Sequence, residues 1–383
     1  MKILLISFEF PPQPGGIGTY SYQIAKNLCN YHHEIIALVN TNLIPLDIVV
    51  EFDKKQQFKI FRFKNYKNKV LKIIHRIWFS FKIINNSKYD LLFIPYSHAG
   101  IIGLFAKAVF NIPYVMMGHG SEFLYKNKLL RFLIRLFFNN ANLILTNSQF
   151  TANLIYRMGI YNPHVKIIPL GADDQLFKRD NYDGLHLKRK YGFENKDVLL
   201  TVGNLSIRKG HRTVIDAVEI LKMEFPNILY LIVGRGKQYE NLKKIIKDKN
   251  LTEFVILAGF ISQELLPEYF AFSSVFILNS TIASDGDVEG FGIVVLEAAL
   301  MGKPSIGTLD CGMEEVIEDG ITGLLVPMDN PQMTARAIKK MIGNRELMKT
   351  MGKSAYRRAK LHFTWEDSAY KTDQIFRSYF DLK

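Results

Sequence analysis

Short apolar runs alternate with longer amphipathic ones along almost the whole chain, and the alternation stops once and then restarts. In residues 1–178 the runs 2–8, 34–40, 91–95, 114–118, 143–147 and 164–170 read as strands, and a helix opened by Gly15-Gly16 is expected over 17–30. Residues 179–190 are polar, lack periodicity and read as a linker. Strands are then expected at 198–202, 230–233, 255–258, 275–278 and 304–306. Helices are expected at 213–223, 239–249, 265–271, 293–301 and 331–342, with a last helical stretch at 364–380. Parallel strands need a long crossover, usually a helix, so this alternation predicts an α/β chain with parallel sheets. The break predicts two domains, 1–178 and 191–362, with the helix of 363–383 packing back on the first. Ligands of open α/β sheets bind beyond the C-terminal ends of the strands, so the loops there are where chemistry is sought.

The 383 residues suit about two domains, and 48% apolar with 22% charged residues excludes gross disorder. Cys29 and Cys311 are too few and too far apart for a disulfide framework, so a reducing compartment is expected. The opening apolar run is shorter than a signal-peptide core, and no window of 18 apolar residues occurs; a cytoplasmic protein is expected. The net charge of +13 is unevenly spread. Residues 1–178 hold 21 Lys/Arg against 9 Asp/Glu, the remainder 28 against 27. A basic half suits nucleic acid, anionic lipid or a phosphorylated acceptor. No helix-turn-helix, zinc or aromatic RNA-binding signature is present, which argues against nucleic acid. Lys69, Lys72 and Arg76, and again Lys128, Arg131 and Arg135, form narrow cationic stripes beside wide apolar faces that include Trp78 and Phe132. Such helices suit an anionic bilayer surface, or else are core helices whose charged stripe meets water.

The strongest local signal is Glu289-Gly290-Phe291-Gly292-Ile293-Val294-Val295-Leu296-Glu297. Its two carboxylates stand eight positions apart, two helical turns, hence on nearly one face. One lies in the glycine-rich turn before a helix and the other inside it. A helix N-terminus attracts anions, and carboxylates beside it suit a ligand carrying phosphates and hydroxyls, as a sugar nucleotide does. Three other loops follow strands. Glu9-Phe10-Pro11-Pro12-Gln13-Pro14-Gly15-Gly16 ends at a helix start and is either a plain turn or a phosphate-approaching one. Met117-Gly118-His119-Gly120 exposes a histidine between glycines. Val202-Gly203-Asn204-Leu205-Ser206-Ile207-Arg208-Lys209-Gly210 sets cations before a helix, where they would neutralise a developing negative charge.

These segments resemble the retaining glycosyltransferases of family four, whose donor-site motif is Glu, seven residues, Glu, with Gly-Phe-Gly after the first. The resemblance covers essentially the whole chain. It implies the GT-B fold, two Rossmann-like domains with parallel sheets facing across a cleft, an N-terminal acceptor-binding and a C-terminal nucleotide-sugar-binding domain. It implies catalytic roles for His119, Lys209 and Glu289. Donor binding is implied for Gly16, Asn204, Arg208, Lys209, Arg235, Phe260, Gly290, Phe291, Gly292 and Glu297, with Glu297 on the ribose and Phe260 near the base. The family has Arg where this chain has Asn204, and either Arg208 or Arg235 is open as its replacement. Phe260 is open between base contact and core, and Arg208 between donor contact and solvated loop. His98 is a further acceptor-side candidate. Gly312, Glu315 and Gly320 match a downstream family pattern read as structural.

The implied activity is transfer of a hexosyl or N-acetylhexosaminyl group from a nucleoside diphosphate sugar to a glycan or lipid-linked acceptor. The setting would be bacterial cell-surface polysaccharide or lipopolysaccharide synthesis at the inner face of the membrane. No cofactor and no metal are implied, and the acidic pair Asp285-x-Asp287 is a decoy for a metal site. The alternatives are a GT-B sugar-nucleotide epimerase and a non-enzymatic basic binding protein.

Overall fold

The apolar runs of the first block become one seven-stranded parallel sheet. The computed structural model describes residues 1–41, 44–283 and 286–380, and divides the chain into two units, Met1–Leu170 with Trp365–Lys383, and Gly171–Thr364. The first unit runs β1 (Lys2–Ser7), α1 (Gly16–Leu28), β2 (Glu34–Asn40), α2 (Leu46–Lys54), β3 (Lys59–Phe63), α3 (Lys69–Asn85), β4 (Leu91–Ile94), α4 (Gly100–Phe110), β5 (Tyr114–Gly118), α5 (Lys128–Asn140), β6 (Leu143–Thr146), α6 (Gln149–Arg157) and β7 (Val165–Ile167). The sheet order is β3-β2-β1-β4-β5-β6-β7. The chain thus builds outward from β1 and then returns to lay β4 on its other side. Strands β4, β5 and β6 are buried at every position because helices cover both faces, which is why they read as unbroken apolar runs.

The second unit has α7 (Leu185–Lys190), β8 (Asp197–Val202), α8 (His211–Leu221), β9 (Ile228–Val233), α9 (Tyr239–Asp248), β10 (Val255–Gly259), α10 (Leu266–Phe272), β11 (Val275–Ile277), α11 (Ile293–Leu300), β12 (Ser305–Thr308), β13 (Gly323–Val326), α12 (Pro331–Ile342) and α13 (Arg345–His362). Its six parallel strands repeat the same logic in the order β10-β9-β8-β11-β12-β13, reversing between β8 and β11. The core gathers Leu199, Tyr230, Ile232, Ile277 and Ile306 from the strands with Val214, Val218, Ile338 and Met341 from α8 and α12. The sheets are the two Rossmann-like α/β layers of the expected fold class.

The last helix, α14 (Trp365–Tyr379), belongs to the first unit. It lies along α1, where Asp373 accepts from His33 Nε2 at 2.7 Å and from Arg377 Nε at 2.7 Å, with the His33 and Asp373 side chains buried. Phe376 meets Phe93, and Trp365 meets Tyr20.

The structure departs from the sequence reading in several places. The chain passes between units at 170/171 and again at 364/365. Residues 179–190 are not a bare linker: they hold a 3-10 turn at Arg179–Asn181 and α7, within the second unit. Helix α2 escapes notice because Val49 is its only buried residue, while Leu46, Ile48 and Val50 face solvent. Helix α13 buries Met351, Gly352, Ala355 and Ala359, a face of mostly small residues that leaves no apolar period to read. Strands β3 and β13 are short outer strands, and β3 carries Lys59 and Arg62.

Candidate functional site

In the second unit the loop after β8 and the loop after β11 meet where the strand order reverses, the position at which open α/β sheets bind ligands. The first loop makes a 3-10 turn, Ile207–Lys209, ended by Gly210 at φ +60°. A Cβ at Gly210 would stand 1.5 Å from the Asn279 carbonyl oxygen, so only glycine lets the loops close together. They are stitched by Thr281 N–H to the Arg208 carbonyl at 2.9 Å and by Ser280 Oγ to the same carbonyl at 2.8 Å.

That juncture carries a charged cluster. Lys209 Nζ and Arg208 Nη1 both donate to Glu289 Oε2 at 2.6 Å, and Arg208 Nε donates to Asp287 Oδ2 at 2.8 Å. Lys209 and Glu289 are buried. Burial alone would raise the Glu289 carboxyl, but Arg208 and Lys209 overcome it and hold the group at about 2. Burial lowers the Lys209 ammonium, and Glu289 opposes that fall. The 2.6 Å contact with the ionised Glu289 carboxylate has the geometry of an ion pair. Desolvating such ions costs several kcal/mol each, roughly what their attraction returns, so stability is a weak reason for building this cluster. A pair of cations held in a low-dielectric site is suited to meeting negative charge.

Glu289 leads through Gly290, Phe291 and Gly292 into α11, whose N-terminus has no side-chain cap. The Gly312 N–H fixes the Glu289 carbonyl at 2.9 Å. The Phe291 side chain is buried against Phe363, with ring centroids 6.1 Å apart, and so anchors the loop. Glu297, inside α11, is half-buried. Burial first, and then Asp173, push its carboxyl up to about 7 against the pull of Lys209. In its protonated form the carboxyl both donates and accepts, a match for a pair of vicinal hydroxyls.

At the ends of β9 and β10, Arg235 lies over the Phe260 ring at 4.9 Å, and both are exposed. Phe260 is thus a surface aromatic, not core. Arg208 is a half-buried partner of two carboxylates, not a solvated loop cation. Asn204 is exposed. His119 and Gly16 belong to the first unit. His119 follows β5 and donates from Nε2 to the Pro95 carbonyl at 2.9 Å, which leaves Nδ1 as an acceptor. Burial lowers its pKa to about 4, so the ring is neutral at pH 7. Gly16 is exposed at the first residue of α1. His98 is exposed after β4.

Two partners were missed in the sequence. Asp287 pairs with Arg208, although its only visible signal was the acidic doublet with Asp285, which lies outside the described residues. Asp173, near Glu297, stands far from it in sequence and gave no signal. Among the described residues no group of three or more metal-ligating side chains occurs, and no helix is long and apolar enough to cross a membrane.

Residues 14–176 match the family model described as Glycosyltransferase Family 4, and residues 186–358 match that of Glycosyl transferases group 1. The amylovoran biosynthesis glycosyltransferase AmsK of Erwinia amylovora is 30% identical over 207 residues, 54% of this chain and 49% of that one. The chain therefore spans about half the length of that relative. A GDP-mannose-dependent alpha-(1-6)-phosphatidylinositol monomannoside mannosyltransferase of Mycolicibacterium smegmatis is 24% identical over 368 residues, 95% of each chain. Among solved structures, HepE of Anabaena in complex with UDP-glucose has a TM-score of 0.82 at 22% identity, covering 99% of this chain and all of that one, a likeness of fold. The two family models divide between them nearly all of the sequence, and the chain belongs to the family-four, group 1 glycosyltransferases.

Proposed function

We propose that the protein is a retaining, metal-independent glycosyltransferase. It moves a hexosyl or N-acetylhexosaminyl group from a nucleoside diphosphate sugar to a hydroxyl of a glycan or lipid-linked acceptor, in cell-surface polysaccharide or lipopolysaccharide synthesis. The observation that carries this is the convergence of Arg208 and Lys209 on Glu289 at the reversal between β8 and β11. As the sugar–phosphate bond breaks, charge grows on the leaving diphosphate, and a preorganised cation there lowers the barrier. Arg208 takes the place of the family Arg that Asn204 lacks. Glu297 holds the ribose hydroxyls, Phe260 with Arg235 offers a stacking face to the base, and the α11 N-terminus faces the phosphates.

Glu289, held ionised by two cations, is a weak base and a weak nucleophile. That favours an orienting role, with the leaving phosphate assisting same-face attack. His119, neutral with Nδ1 free to accept, suits a sugar hydroxyl. Of the proteins named above, one is seen in complex with UDP-glucose and another is GDP-mannose-dependent, so donors on both bases belong in the test.

The first unit would rest on anionic lipid at the inner face of the membrane. Val70, Leu71, Ile73 and Ile74 of α3 and Leu129 and Phe132 of α5 are each more than half exposed, among Lys64, Lys67, Lys69, Lys126 and Lys128.

The test is release of nucleoside diphosphate from a panel of UDP and GDP sugars without acceptor, alongside thermal shift. Slow release from at least one donor, unchanged in chelator, is expected. No shift and no release with any donor would overturn the donor reading. Activity lost in chelator and restored by Mg²⁺ or Mn²⁺ would overturn metal independence.

A further inference from the structure

Arg76 does not stand on an outward cationic stripe with Lys69 and Lys72. It turns from α3 into the mouth of the first unit's sheet. Its guanidinium carbon lies 3.9 Å from the Phe8 ring centroid, and Nη2 donates to Asn40 Oδ1 at 3.1 Å. Its Nε is buried with no hydrogen-bond partner, and Nη1 donates to nothing among the described residues. Arg62, at the same edge, has Asp53 at 2.7 Å; Arg76 has no carboxylate partner among the described residues. Glu9 and Glu122 face nearby Tyr96, but their carboxylates are engaged with the backbone N–H groups of Gly18 and His119. A half-buried guanidinium without an anion is costly to keep, and its planar fork matches a phosphate.

The surroundings are those of a ligand site. Phe8 follows β1, Asn40 ends β2 and Tyr96 follows β4, so Arg76 reaches the place where this sheet's strand order reverses. Aromatic rings run outward from it: Tyr96 lies 5.5 Å from Phe8, His98 5.5 Å from Tyr96 and Tyr125 5.8 Å from His98. Such rings offer flat apolar faces to a sugar. The exposed lysines at 64, 67 and 69 favour a multiply charged phosphate over a single carboxylate, and the exposed Val70, Leu71 and Ile74 favour an apolar tail beyond it.

We propose that Arg76 binds a phosphate group carried by the acceptor, with Phe8, Tyr96 and His98 lining the place of the sugar beside it. This rests on the transferase reading above and adds the chemistry of its acceptor.

The experiment titrates the whole protein, its donor site saturated with whichever of UDP or GDP gives the larger thermal shift. Geranyl phosphate, glucose 1-phosphate and the neutral controls geraniol and methyl glucoside are compared by calorimetry, for wild type, Arg76→Gln and Arg76→Lys. Wild type should bind at least one phosphate and prefer it to its neutral control. Arg76→Gln should bind that phosphate at least roughly tenfold more weakly, the loss expected for a hydrogen bond to a charged group. Arg76→Lys should fall between, and nucleotide binding should not change. Binding of both phosphates would show a general phosphate reader, binding of geranyl phosphate alone a lipid-linked one. Equal affinity for a phosphate and its control, or undiminished binding by Arg76→Gln, would overturn the proposal. If Arg76→Gln does not fold by circular dichroism, Arg76→Lys and the wild-type preference decide. Absence of nucleotide binding would sink the donor reading alone, because the phosphate titration is then read directly.

Discussion

Glu289 and Glu297 stand eight residues apart and are driven in opposite directions, one held at about 2 by two cations, the other pushed up to about 7 by burial and Asp173. Their motif was legible in the sequence because its spacing is local. The ionisation of each was not, since it depends on Arg208, Lys209 and Asp173 from distant loops. Lys209→Ala should lower turnover by about 10²–10³ with a smaller effect on donor affinity, because the charge it meets grows in the transition state. Near-normal turnover would remove Lys209 from the mechanism. For Glu297 the folded value lies above the unfolded one. Its contribution to stability is complete below about pH 4 and is lost as pH rises through about 7. Glu297→Gln, which cannot ionise, should therefore gain on wild type between pH 5 and pH 8. The gain should be roughly 2 kcal/mol after discounting for partial exposure, or several degrees in melting temperature. A difference that stays constant with pH would show that the carboxyl titrates normally.

Among the elements, those with a clean period were legible and those whose faces break the rule were not. Strands β2 and β5 and helix α12 follow directly from apolar runs or from an Asn-Pro start, Asn330 capping α12 through Met333 N–H at 2.9 Å. Helix α2 turns apolar residues outward and α13 packs mostly small ones, so neither shows a stripe. The loop after β8 was legible as a cation carrier but not as half of a joint, because its partner loop lies some eighty residues on. The joint is testable at Gly210. Gly210→Ala forces a Cβ to 1.5 Å from the Asn279 carbonyl at φ +60°, a clash with backbone that cannot rotate away. It should cost more than about 3 kcal/mol by denaturant unfolding and weaken nucleotide binding. Gly259→Ala is the control. It has φ +75° but open space around the new Cβ, and should cost only about 1 kcal/mol. Equal losses would mean that the joint relaxes freely.

On the scale of the molecule, both units use the same outward-then-return sheet, yet their surfaces carry different charge. The basic surplus lies in residues 1–178. Composition revealed that surplus but not where it acts, which topology decides. In a parallel α/β unit each crossover helix starts at the C-terminal edge of the sheet. The exposed apolar residues in the first turns of α3 and α5 therefore border the edge where Arg76 and His98 sit. Helix α3 buries Ser80, Ile83 and Ile84 only near its end, so its first turns stand clear of the core. Helix α2 begins at that edge too, but Asp47 and Glu51 exclude it from an anionic surface. Of the two expected stripes, Arg76 is turned inward and Arg131 is half-buried, its Nη1 toward the Tyr125 carbonyl at 3.4 Å; the exposed cations are Lys69, Lys128 and Arg135. Each cation near an anionic membrane contributes about 1 kcal/mol within roughly a Debye length. The protein should co-sediment with vesicles containing phosphatidylglycerol more than with neutral ones, and less at high salt. Lys67→Glu with Lys69→Glu should release it and flatten the salt dependence. Ile73→Ser with Ile74→Ser should weaken binding at every salt concentration, since apolar insertion is not screened. Equal pelleting with neutral and anionic vesicles would sink the electrostatic half of the proposal, and no pelleting at all would return α3 and α5 to water.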